Sequence, residues 1–110
     1  MDSTTLNSIL QSLEITLGVT EASDIAILTE ILNNAVYEIK KARRYPLNMS
    51  EAEINADMEN YISNVKHLAS YDYSRIGAEG EDSHSENGIN RSYDDRAKCF
   101  YGVLPFAKMF

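Results

Sequence analysis

Three stretches of this chain place apolar residues every three or four positions, and that spacing admits little besides helices. The first carries Leu6, Ile9, Leu10, Leu13 and Leu17. The second carries Ile25, Leu28, Ile31, Leu32, Ala35, Val36 and Ile39. The third carries Ile54, Met58, Tyr61, Ile62, Val65, Leu68 and Ala69, and its pattern continues through Tyr73 to Ile76. Each set forms one stripe of a helix surface, which must be buried while the opposite face stays wet. No segment alternates convincingly with the period of a strand, and no internal repeat is present. With 110 residues the chain builds one core and one domain. The expected fold is all-α: a small bundle of three main helices plus a short C-terminal helix.

The punctuation residues set the expected boundaries. Helices are placed at about 4–17, 21–44, 51–76 and 93–102, with a loop or arm over 77–92 and a C-terminal arm over 103–110. Asp2, Ser3 or Thr4 caps the first helix and Gly18 ends it. Thr20 or Ser23 is the expected cap of the second, and Pro46 its stop. Ser50 followed by Glu53 reads as a capping box opening the third helix, which would be ~39 Å long at 1.5 Å per residue and stop at Gly77. Ser92 precedes the short fourth helix, which carries Ala97, Phe100, Tyr101 and Leu104; Gly102 weakens it and Pro105 stops it.

Residues 75–93 read RIGAEGEDSHSENGINRSY and contain no proline. So long a polar stretch cannot join the core, and loops of this length are usually functional or disordered. The segment therefore suggests a partner that orders it. Asn87-Gly88 can form a tight hairpin turn, but its flanks are too polar for a free-standing hairpin.

Charge is segregated as well as acidic. The formal net charge is −7, and residues 1–35 contain no Lys or Arg. Lys40, Lys41, Arg43 and Arg44 form a basic cluster, residues 51–95 are acidic again, and the tail carries Arg96, Lys98 and Lys108. An acidic body disfavours nonspecific duplex binding, whose affinity is mostly phosphate neutralisation. Segregated charge favours contact with a complementary protein surface. No apolar run approaches the roughly 18 residues of a membrane span, so no membrane is expected as a partner. The polar start, residues 1–6, has no basic region of the signal-peptide kind. Cys99 is the single cysteine, which excludes an internal disulfide and fits a cytosolic folding environment.

Chemistry-bearing motifs are sparse. Gly77-Ala78-Glu79-Gly80 lacks the Lys-Ser/Thr of a phosphate-binding loop and reads as a helix C-cap, with Gly77 left-handed. His84 sits among Asp82, Ser83, Ser85 and Glu86 in no recognised ligand spacing, so no metal and no cofactor is expected. Adjacent residues on one loop cannot hold a Ser/His/Asp triad in geometry without a supporting shell. His67 lies beside the apolar face of the third helix, and Cys99 reads as a small buried hydrophobe. No catalytic residues emerge. The basic cluster over residues 40–44 reads first as helix-dipole complementarity and a solvated face. Pairing with an acidic neighbouring subunit, or a small regulatory or nucleic-acid-binding role, is the alternative. The aromatic set Phe100, Tyr101, Phe106 and Phe110 is either the last plug of the core or an anchor in a partner's groove.

One family resemblance emerges from these residues. An acidic helical start, Ser23-Asp24 with Leu32, and a third helix ending Tyr73, Gly77, Ala78, Glu79, Gly80 lead into residues 83–89 (SHSENGI) and Arg91-Ser92-Tyr93. Over roughly residues 5–110 the chain resembles the head–tail connector proteins of tailed bacteriophages, also called adaptor, head-completion or DNA-packaging proteins. The resemblance implies a virion protein of the neck, assembled in the host bacterial cytoplasm. It implies a homo-oligomeric, dodecameric ring under the portal protein that extends the DNA channel and receives the next neck or tail-completion protein. Duplex DNA would pass through without sequence-specific binding, and no enzymatic role is implied. The family's loop and C-terminal segment touch neighbouring subunits and the portal. Here that points to Arg75, Gly77, Glu79, Gly80, Ser85, Gly88, Ile89, Arg91, Tyr93, Phe100, Tyr101, Phe106 and Phe110 as interface residues. A ring needs head-to-tail surfaces that close, and a standard interface takes about 800 Å² from each partner.

Overall fold

A computed structural model describes residues 1–78 and 95–106. Helix α1 spans Ser3–Leu17, α2 Ala22–Arg43, α3 Glu51–Met58 and α4 Ile62–Ala78, with a 3-10 turn at Glu59–Tyr61 between the last two. Among the described residues there is no strand. The chain is all-α, as the apolar spacing requires.

The stripes meet where their spacing places them. Helix α2 packs along α4, and α1 lies against both. Ile9 and Leu13 of α1, Leu28, Leu32, Ala35 and Ile39 of α2, and Met58, Val65, Leu68 and Ala69 on the α3–α4 side form one buried cluster. Cys99 and Val103 complete it from the C-terminal segment. Burying such side chains is worth roughly 1.5–3 kcal/mol each and carries most of the stability of helices too short to stand alone.

Local signals explain three of the helix ends. The Asp2 carboxylate accepts the Thr5 amide at 2.8 Å and caps α1. Gly18 adopts φ 69°, and the amides of Val19 and Gly18 donate to the Glu14 and Ile15 carbonyls, closing the helix. Ser50 and Glu53 exchange both bonds of the capping box at 3.1 and 2.9 Å.

Four boundaries differ from expectation. Helix α2 is not capped by Thr20 or Ser23; Glu21 is the N-cap and its side chain makes no capping bond. The α1 turn consumes Val19, which is buried, and leaves too short a connection for a capping side chain. Helix α2 stops at Arg43, before Pro46, because Arg44 turns left-handed at φ 52°. The third helix tightens into the 3-10 turn while its backbone stays right-handed, and it runs through Gly77 to Ala78. Glycine in a helix costs about 1 kcal/mol against alanine but does not end it. Of the expected fourth helix, residues 95–98 are helical and residues 99–102 continue as turns. There the amides of Cys99, Phe100 and Tyr101 donate three residues back, and Gly102 at φ 84° breaks the run. The proposed hairpin of residues 83–93 lies outside the described residues.

Candidate functional site

The C-terminal segment returns across the bundle and is held by three polar clamps. The first centres on Arg43, the last residue of α2, which is only 8% exposed. Its Nε and Nη2 donate to the two Asp57 carboxylate oxygens at 2.9 and 3.1 Å, and its Nη1 donates to the Leu104 carbonyl at 2.7 Å. The Tyr45 hydroxyl donates to the same carboxylate at 2.5 Å. The guanidinium also lies over the rings of Tyr61, Phe106 and Tyr45, at 4.9, 5.2 and 5.6 Å from their centroids. The Phe106 amide donates to the Arg43 carbonyl, and its ring packs tilted on Tyr45 at 5.8 Å. Arg43 thus ties α2, α3 and residues 104–106 together.

The second clamp is Arg96. It pairs bidentately with Glu38 of α2, at 3.2 and 2.7 Å, and with Asp72 of α4, at 2.8 and 2.9 Å. Planar guanidinium groups suit such forked pairing. The third is Asn64 of α4, whose side-chain amide donates to the Cys99 and Tyr101 carbonyls, both at 2.9 Å. It accounts for the turn over residues 99–102, since it satisfies carbonyls that a continuing helix would use itself.

These environments set the protonation states. Burial works against the Arg43 charge, but the bonds to Asp57 outweigh it and the shift is upward. Bonds to Asp72 and Glu38 raise the Arg96 pKa. Burial, with the bond to Asp57, pushes the Tyr45 phenol up to about 12. The Cys99 thiol is raised by burial and stays protonated at neutral pH, which suits a packing role and not a nucleophile.

The raised phenol has a measurable consequence. Phenolate absorbance should show one of the seven tyrosines ionising near pH 12, and Tyr45→Phe should remove that step. Because the folded pKa lies above the unfolded value of about 10, the stabilisation it contributes is whole below pH 10. It is lost as pH climbs toward 12. A wild-type titration in which all tyrosines ionise together near pH 10 contradicts the bond to Asp57.

Among the described residues no three His, Cys, Asp or Glu side chains gather in a way that holds a metal ion. None of the helices there is long and apolar enough to cross a membrane. His67 lines a shallow depression with Glu59, Asn60, Ile62, Ser63 and Lys66. The site is a scaffold for the C-terminal arm.

A profile of the family described as "Phage gp6-like head-tail connector protein" matches residues 7–104, nearly the whole chain. The chain belongs to this family. No curated protein and no solved structure matches it. The resemblance carried by residues 75–93 points to the same family, and the connector's role is accordingly structural, at the neck of the virion.

The expected interface residues of this connector fall into three groups. Arg75 lies on α4, with its guanidinium donating to the Tyr71 hydroxyl at 3.3 Å, and Gly77 lies within the same helix. Phe100 is half-buried against the core, Tyr101 is 87% exposed, and Phe106 packs on Arg43 and Tyr45 of its own chain. Glu79, Gly80, Ser85, Gly88, Ile89, Arg91, Tyr93 and Phe110 lie outside the described residues, as does His84 with its acidic neighbours.

Sequence reasoning missed Arg43, Asp57, Asn64 and Arg96. For Arg43 the signal was present. Leu28, Leu32, Ala35, Ile39 and Arg43 step by four, three, four and four, so Arg43 sits on the buried stripe and not on the solvated face with Lys41 and Arg44. Asp57 likewise falls between Ile54 and Tyr61 on the inward side of its helix.

Proposed function

We infer that this connector forms a ring that joins the portal of the filled capsid to the neck and tail, and that the ring extends the DNA channel. The match over residues 7–104 carries this reading. The structure supports it in two ways. The body is a helical wedge with a single core, and the segment clamped across it leaves Tyr101 and Leu104 outward, at 87% and 66% exposed. An exposed tyrosine on a docked segment is the material of an interface anchor, and the leucine beside it adds apolar area. Arg75, Tyr101 and the residues of 79–93 and 110 named above are the proposed contacts to neighbouring subunits and the portal. The acidic composition would limit phosphate contacts with passing DNA.

The nucleic-acid reading of residues 40–44 loses ground, because Arg43 is committed to Asp57 and only Lys41 and Arg44 of the cluster are exposed.

Negative-stain images of the purified protein mixed with its portal protein test the proposal. Rings stacked coaxially on the portal, twelve subunits in each, are the expected result. A protein that neither binds the portal nor forms rings beside it overturns the proposal.

A further inference from the structure

The geometry points to a contact between two copies of this chain, in which the corner after α2 of one copy seats in a groove at the far end of α2 in the next. The inference rests on the ring reading and names the surfaces that would close the ring.

The corner is built to face outward. Leu47 is fully exposed, at 105%, and Lys41 and Arg44 beside it are exposed as well. Neither cationic side chain has an ion-pair or hydrogen-bond partner among the described residues. Arg44 also holds φ 52°, a left-handed cap position that glycine fills without steric conflict. A side chain there costs the fold about 1 kcal/mol or more and returns no ion pair or hydrogen bond among the described residues. The corner is therefore an exposed leucine that closely follows two unpaired cations in the chain.

The groove has the opposite character. Leu17 of α1, Asp24 and Ile27 of α2, and Tyr73, Ser74 and Ile76 of α4 line an open hollow. Ile27 and Ile76 are 43% and 46% exposed, so apolar surface is left uncovered there. Asp24 gives the hollow a negative charge, and Glu21, the N-cap three residues earlier, adds a second exposed carboxylate at that end of α2. No Lys or Arg occurs in residues 1–35 to neutralise them.

A leucine with cations close by in the chain suits an apolar hollow lined by a carboxylate, because apolar surface meets apolar surface and the charges are opposite in sign. Asp24 and Arg44 stand roughly 30 Å apart along α2 at ~1.5 Å per residue, so one chain cannot satisfy both surfaces itself. The two patches differ, so the contact is head-to-tail, the kind that closes into a ring or runs on as a filament. The charges set orientation and encounter rate, and Leu47 supplies the buried area.

Sedimentation velocity over a concentration series, with and without the purified portal protein, tests the contact through two variants, K41E/R44E and E21K/D24K. Glu21, Lys41 and Arg44 are exposed and Asp24 is half-buried, and circular dichroism checks that each variant is folded. Each variant alone should assemble at least ~10-fold more weakly than wild type. An equimolar mixture should restore assembly, because each reversed corner then meets a groove of opposite sign. If both variants assemble like wild type, or the mixture fails to recover, the corner-to-groove contact is wrong while the ring reading stands. If K41E/R44E fails only in binding the portal, the corner faces the portal and the self-contact is overturned. If wild type forms no ring in either condition, the ring reading fails and takes this contact with it.

Discussion

Arg43→Ala should lower the stability of this connector by about 3–5 kcal/mol, the usual cost of removing one partner from a buried ion pair. The magnitude follows from what is left behind. Asp57 keeps its carboxylate in a site where its side chain is 17% exposed, without the fork that neutralised it. The Leu104 carbonyl loses its donor, and the rings of Tyr61 and Phe106 lose the cation between them. A cost of that size is a large share of the ~5–15 kcal/mol that holds a domain together. It should lower Tm by at least ~10 °C. Arg43→Lys should recover little, since one ammonium cannot span two carboxylate oxygens and a carbonyl while lying flat against the rings. Replacing both partners, as in R43M/D57L, should recover more than either single change, because no unpaired charge then remains buried. Hydrogen exchange over residues 103–106 should accelerate in Arg43→Ala beyond the loss of global stability. A variant that melts within ~2 °C of wild type would show that the guanidinium is a bystander to the arm it touches.

How much of this was readable beforehand depends on the range of the interaction. The stripes, the Asp2 and Ser50 caps and the Gly18 stop are set by neighbours within a turn or two, and each was legible. The Arg43 site was half legible: its register marked it as buried, but its partner is a matter of how α2 meets α3. Arg96 was not legible at all, because Glu38 and Asp72 are 58 and 24 residues away and any surface arginine looks the same in sequence. Helix ends were misjudged where tertiary contacts overrode local preference, as where Asn64 takes the carbonyls of Cys99 and Tyr101. The open question of where the aromatic arm docks has a divided answer. Phe106 packs on its own body, while Tyr101 faces away from it.

Two leucines of this chain should respond to truncation in opposite ways, and the contrast separates what folds the subunit from what joins it to others. Leu68 is fully buried, with no exposed surface, on the side of α4 that meets α2. Leu68→Ala should cost ~2–5 kcal/mol, combining the lost transfer energy with a cavity that rigid helices cannot close. Urea denaturation should show this as a lower midpoint with an unchanged slope. Leu47 touches nothing that shields it, at 105% exposure, so Leu47→Ala should leave the midpoint unchanged to within ~0.5 kcal/mol. Its effect should appear only in assembly. A leucine buried on association contributes roughly 1.5–3 kcal/mol, so losing it should weaken the contact by about tenfold or more. The pairing of results is what matters. A Leu47→Ala protein that loses stability would mean the corner is packed within the subunit after all. One that keeps both stability and full assembly would leave the exposed leucine without a role in the ring and remove it from the proposed contact.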